Sequence, residues 1–117
     1  MVIVPKDEKF LLSGTSVVQI GYSLTVFEKA FDDLQRIDIP VIVHVILGLP
    51  GETKSDCIKT IHYLNLKGIF GIKLQLLHVL QNTDLYADYS AGKFTVLSKE
   101  DYMDILVECV GNLSPDV

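Results

Sequence analysis

The sequence predicts an α/β fold with parallel strands flanked by helices, and three observations predict it. Apolar residues recur at helical spacing after Thr25, after Thr53 and after Ser98. Between the first two patterns lies Val41-Ile42-Val43-His44-Val45-Ile46-Leu47, apolar on both alternations and rich in β-branched residues, as in a strand covered on both faces. A second such run, Ile72-Lys73-Leu74-Gln75-Leu76-Leu77-His78-Val79, follows the second helix. Strand, glycine turn, helix and strand within about forty residues make a βαβ unit, whose crossover is right-handed in nearly all cases.

The elements read in order as follows. Residues 1–22 form a first segment in which Val2-Ile3-Val4, Phe10-Leu11-Leu12 and Val17-Val18-Gln19-Ile20 each fit a short strand, with Gly14 and Gly21 as turns. From residue 23 onward the βα units begin. Thr25 with Glu28 three residues later fits a capping box, ahead of a stripe of Val26, Phe27, Ala30, Phe31, Leu34 and Ile37. Asp38 and Pro40 end that helix, because the residue before a proline is pushed out of helical geometry. The second helix is capped by Thr53 or Ser55, turns Cys57, Ile58, Ile61, His62 and Leu64 inward, and stops at Gly68. Thr83 to Tyr89 reads as a short helix ended near Gly92. Ser98 opens a last helix carrying Tyr102, Met103, Ile105, Leu106, Cys109, Val110 and Leu113, with Pro115 beyond it.

Composition narrows the function. The chain has 117 residues, the size of one domain, and a formal charge of -5 with its basic residues scattered. That balance argues against a nucleic-acid surface, which needs clustered Lys and Arg. No apolar run approaches the roughly eighteen residues of a membrane span. The start lacks a basic leader followed by an apolar run, so the expectation is a cytoplasmic protein. Cys57 and Cys109 form no CxxC pair and no metal-ligand spacing, and both read as buried core thiols.

The chemistry concentrates in Gly48-Leu49-Pro50-Gly51-Glu52-Thr53, at the carboxyl end of one strand and the amino end of a helix. Ligands bind at such places in α/β folds because backbone amides and several loops converge there. Glycines allow close approach of the backbone. Glu52 has two uses, matching the helix dipole or accepting hydrogen bonds from a ligand. The turn is neither a P-loop nor a Rossmann fingerprint, since it lacks GK[ST] and has one G-x-x-G step. The plainer alternative is a tight strand-to-helix connection. His78 stands near the end of the second strand and suits proton transfer or substrate binding, with a hydrogen-bonded core residue as the alternative. His44 and His62 read as structural. Glu100 and Asp101 read as charges at a helix start.

Taken together, Gly21-Tyr22, the stretch from Val43 to Thr53, Gly71 to Leu80, Gly92-Lys93-Phe94, Leu97 to Tyr102 and Leu113-Ser114-Pro115 resemble bacterial radical S-adenosylmethionine (SAM) proteins. These are iron-sulfur oxidoreductase-like proteins, similar to the Elongator-protein-3 and coproporphyrinogen-dehydrogenase groups. The resemblance covers residues 21–117. It implies a partial (βα) barrel fragment, cut from a parent that holds a 4Fe-4S cluster and SAM and generates a 5′-deoxyadenosyl radical. It implies cofactor-binding roles for Ile46, Gly48, Leu49, Pro50, Gly51 and Glu52, with the backbone near Ile46 and Gly48 beside adenine and Glu52 steadying the loop. Gln75 and His78 would face the substrate.

The departures are as informative. The CxxxCxxC loop that holds the cluster is absent from this chain, and Cys57 and Cys109 cannot replace it. Gln19-Ile20 stands where the family usually has Asn-Arg, and the turn after Ile46 is one residue longer than the simplest family form. The expectation is therefore a fragment, with neither cofactor bound to it and no activity alone. A homodimer through exposed strand edges is also expected. A stand-alone α/β ligand-binding or interaction module is the alternative, and a small enzyme using His78 and Glu52 as acid and base is a third reading.

Overall fold

The computed structural model describes residues 2–3 and 24–117 of the chain. The order of elements is β1 (Val2–Ile3), α1 (Leu24–Arg36), β2 (Ile42–Leu47), α2 (Lys54–Lys67), β3 (Gly71–Leu76), α3 (Asp84–Ser90) and α4 (Lys99–Gly111). The strands form one parallel sheet in the order β1-β2-β3. The mixed α/β character and the parallel pairing predicted from the two apolar runs are both present. Of the short strands read in the first segment, Val2–Ile3 pairs with β2, while Phe10 to Leu12 and Val17 to Ile20 lie outside the described residues.

One face of the sheet carries the core. Val43, Val45 and Leu47 of β2 are fully buried, and their register partners Ile72, Leu74 and Leu76 lie on the same face of β3. Against this face pack Phe27 and Phe31 of α1, Cys57, Ile61 and Leu64 of α2, and Ile105 and Cys109 of α4. Burial of such side chains is the main favourable term in folding. The other face presents Ile42, His44 and Ile46 beside Gly71, Lys73 and Gln75; Ile42 and Lys73 are exposed there, whereas His44 is buried.

The helix ends follow local chemistry. At the end of α1, Asp38 takes φ 57, Ile39 N–H bonds Leu34 C=O at 3.0 Å and Asp38 N–H bonds Gln35 C=O at 3.0 Å. That is the paired Schellman closure, here on an aspartate instead of the usual glycine. Thr53 caps α2 in a full capping box with Asp56, and Gly68 ends it at φ 72. Thr83 and Ser98 cap α3 and α4 by accepting from Tyr86 N–H and Asp101 N–H.

Several sequence expectations need correction. Thr25 lies inside α1, which begins at Leu24, so it is not the cap. Its supposed partner Glu28 instead accepts a 2.7 Å hydrogen bond from Tyr63 Oη on α2. The inward stripes are narrower than the apolar patterns, because the helices lie on one side of a small sheet. Val26, Ala30 and Ile37 of the first pattern, His62 of the second, and Met103 and Val110 of the last are exposed. β3 ends at Leu76, not Val79, because its partner β2 ends at Leu47, and pairing finishes with Leu77 N–H on Leu47 C=O. The last helix stops at Gly111, with Asn112 as its cap, ahead of Pro115.

Candidate functional site

The glycine turn leaves the carboxyl end of β2 and is built by its own residues. Leu49, Pro50, Gly51 and Glu52 form a turn closed by Glu52 N–H on Leu49 C=O at 2.9 Å. Gly51 has φ 78. Proline second and a left-handed glycine third is the type II pattern, and a side chain at Gly51 would be strained. Gly48 also has a positive φ, 89. A Cβ there would meet Leu97 Cδ1 at 2.9 Å, so the strand exit is closely covered by the segment that precedes α4.

Glu52 ties the turn to the helix behind it. Its Oε1 accepts from Gly48 N–H at 3.1 Å and from Cys57 Sγ at 3.1 Å. The carboxylate thereby spans the turn and anchors it to the first exposed-to-buried step of α2. Cys57 is 1% exposed and Cys109 fully buried, the core placement expected from the sequence. The thiol's role as a donor to Glu52 was not legible, because it depends on how the turn folds back on α2.

A cavity of about 430 Å³ opens beside the turn. Gly48, Leu49, Gly51 and Glu52 line it from one side, and Lys93, Phe94, Thr95, Val96, Leu97 and Asp101 from the other. Four of the six residues expected at the cofactor meet there. Ile46 and Pro50 do not line it: Ile46 sits one position inside β2, on the sheet face away from the helices. The Lys93–Leu97 wall was not read as part of the site: Gly92-Lys93-Phe94 and Leu97 carry the resemblance, but no periodicity places them beside the turn. Lys93 is held by Asp88 at 2.9 Å, and the Tyr89 and Phe94 rings lie 5.9 Å apart.

β2 and β3 are parallel and in register, with Leu47 opposite Leu76. The Gly48–Glu52 turn and the chain after Leu76 therefore leave the sheet at the same edge. Gln75 lies next to Ile46 on the face away from the helices. His78 is just beyond the strand and exposed. No hydrogen bond joins His78 to Glu52 among the described residues, and Glu52 Oε1 is engaged by Gly48 and Cys57.

The cluster does not fit this chain. Its two cysteines are buried on helices α2 and α4, and one of them donates to a carboxylate. Among the described residues no group of three His, Cys, Asp or Glu side chains converges as metal ligands would. Nor is any described helix long and apolar enough to cross a membrane.

Residues 69–117, from the end of α2 through α4, match the family model described as the Radical_SAM C-terminal domain. The chain is also 32% identical over 101 residues to the uncharacterized protein MJ0486 of Methanocaldococcus jannaschii, covering 86% of this chain and 31% of that protein. It is 27% identical over 97 residues to protein YhcC of Escherichia coli, covering 83% and 31%. To the uncharacterized protein YtqA of Bacillus subtilis it is 26% identical over 101 residues, covering 86% and 31%. The chain thus spans about a third of the length of the curated relatives it matches.

Proposed function

We propose that this chain, which is related to the C-terminal part of radical SAM proteins through residues 69–117, supplies the wall beside SAM and substrate in a longer, partial-barrel enzyme. The 4Fe-4S cluster would be held by thiolates outside this segment, and this segment alone would be catalytically inert. When bound, SAM would supply the radical chemistry. The residues here would receive it: the Gly48 and Gly51 backbone would allow close approach, and Glu52 would hold the turn in shape. Gln75 and His78 would stand on the substrate side. The observation that carries the reading is the in-register parallel pairing of β2 with β3, which brings the Gly48–Glu52 turn and the chain after Leu76 to one edge. Such an edge is where α/β folds bind ligands.

Two further proposals accompany this reading. β3 has no strand on its outer side among the described residues, and an open parallel edge invites pairing, so the isolated segment would dimerise through strand edges. The parent would be a cytoplasmic iron-sulfur oxidoreductase. A stand-alone binding module remains the competing reading, favoured by the cavity beside the turn.

Titration of the isotope-labelled chain with SAM, followed by amide resonances, tests the proposal, together with iron and sulfide reconstitution. The expected result is displacement of the Gly48, Gly51 and Glu52 amides and no cluster absorbance. Displacement confined to residues away from the turn, or a cluster assembled on this chain with SAM cleavage, would overturn it.

A further inference from the structure

Residues 80–94 are tied to one another and not to the rest of the fold. Thr83 caps α3 through Tyr86 N–H, and its Oγ1 donates to Leu80 C=O at 2.6 Å. At the far end Gly92 takes φ 76, while Lys93 N–H bonds Asp88 C=O and Gly92 N–H bonds Tyr89 C=O, each at 3.0 Å. That Schellman closure fixes the residues after the helix onto it. Lys93 Nζ returns to Asp88 at 2.9 Å, and the Phe94 ring lies 5.9 Å from that of Tyr89. Among the described residues, every hydrogen bond, ion pair and ring contact of residues 80–94 lies inside this segment. No residue from His78 to Ser98 is buried. The anchors on either side belong to the body of the fold. Leu77 N–H bonds Leu47 C=O at 2.9 Å, and Leu97 packs against the core and over Gly48. Between anchors and segment lie two joints, His78–Val79 and Thr95–Val96, and no hydrogen bond among the described residues crosses either.

We propose that residues 80–94 swing as one rigid flap about these two joints and gate the cavity beside the Gly48–Glu52 turn. Lys93 and Phe94 belong to the flap and also line that cavity opposite the turn, so a swing of α3 carries the wall with it. Segments that bury few apolar side chains open at low free-energy cost, and the lids of ligand sites are drawn from them. Such closures pivot on a few loop residues while the moving body keeps its internal contacts. The Schellman closure, the Asp88–Lys93 ion pair and the Tyr89–Phe94 ring pair supply those contacts here. The facing wall is held in place, because Glu52 Oε1 binds both Gly48 and Cys57. An open flap admits a ligand to the turn. A closed flap sets the Phe94 ring and the Lys93 ammonium against that ligand and excludes water. That the gated ligand is SAM, or the substrate beside it, rests on the function proposed above; the flap itself does not.

The test is amide relaxation dispersion on the isotope-labelled full chain, which reads the microsecond-to-millisecond motions of hinged bodies. Without ligand, the amides of α3, Gly92, Lys93 and Phe94 should share one exchange rate. The same rate should reach Gly51 and Glu52 across the cavity and be absent from β2 and α4. Residual dipolar couplings of α3 should fit the helix's own geometry and show weaker alignment than those of α2 and α4. A flap without exchange and aligned as strongly as α2 would overturn the proposal. So would exchange of α3 at a rate that Lys93 and Phe94 do not share. Added SAM should abolish the exchange while displacing the Gly48 and Gly51 amides. Displacement of those amides with the flap's exchange unchanged would sink the gate and leave the function proposed above standing. If SAM displaces nothing, that function fails, while shared exchange in the free chain still supports the flap.

Discussion

The amide of Gly48 donates to Oε1 of Glu52 at 3.1 Å, across the turn that the two residues bound. The same oxygen takes the thiol of Cys57 at 3.1 Å, so one carboxylate oxygen joins the end of β2, the turn and the first full turn of α2. Removing it takes the acceptor from two part-buried hydrogen bonds. Glu52→Ala is therefore expected to destabilise the chain by about 1–3 kcal/mol, measured by urea unfolding. Glu52→Gln keeps a carbonyl acceptor at the same position and should lose less than half as much. Equal stability of the alanine variant and the parent would show that the bridge does not hold the turn.

At Gly48 two separable costs arise. Its φ of 89 is strained for any residue with a side chain, and a Cβ would stand 2.9 Å from Leu97 Cδ1. Gly48→Ala should cost about 1–3 kcal/mol from the backbone alone. Because the close atom is the tip of a flexible side chain, Leu97→Ala in the same chain should relieve the contact and leave the backbone cost in place. Full recovery in the double variant would mean that the clash and not the dihedral governs the position.

The buried thiols give a kinetic expectation. Cys57 is 1% and Cys109 0% exposed, so an aromatic disulfide reagent can reach them only through opening of the fold. Labelling should be slow in buffer and rapid for both cysteines in urea. Rapid labelling of Cys57 under native conditions would show that α2 separates locally from the turn.

How much of this was legible before the coordinates depends on whether the cause is local. The α2 cap, read as Thr53 or Ser55 and found at Thr53, the stop at Gly68 and the cap at Ser98 depend on a few adjacent residues, and so does Thr83, read as the first residue of the short helix and found one position earlier as its cap. The strands were legible because Val43, Val45 and Leu47 must face a core. What depends on partners distant in sequence was not. Glu28 was read as half of a capping box, whereas it meets Tyr63 from another helix. His44 was read as structural, and its burial on the sheet face away from the helices, opposite Lys73 on β3, depends on strand register. The cavity wall from Lys93 to Leu97 has no periodicity at all, since it is shaped by what it covers.

The contact between α1 and α2 yields a pH prediction with a definite sign. Burial, then the hydrogen bond to Glu28 and its charge, hold the Tyr63 phenol above its ordinary range. A folded-state value raised above the unfolded one means that the native chain keeps the proton longer. The stability this contributes is complete below about pH 10, the unfolded value, and is lost as pH rises from there towards the folded value. Tyr63→Phe removes both the bond and the titration. At neutral pH the phenylalanine variant should be less stable by about 1 kcal/mol, a partly exposed charge-assisted hydrogen bond. Above about pH 10 the gap should narrow, since only the parent is penalised by ionisation. Urea unfolding of both proteins across that range measures it, and a gap that widens with pH would show that Tyr63 gains more as a phenolate, beside Lys67, whose ammonium lies 5.5 Å over its ring.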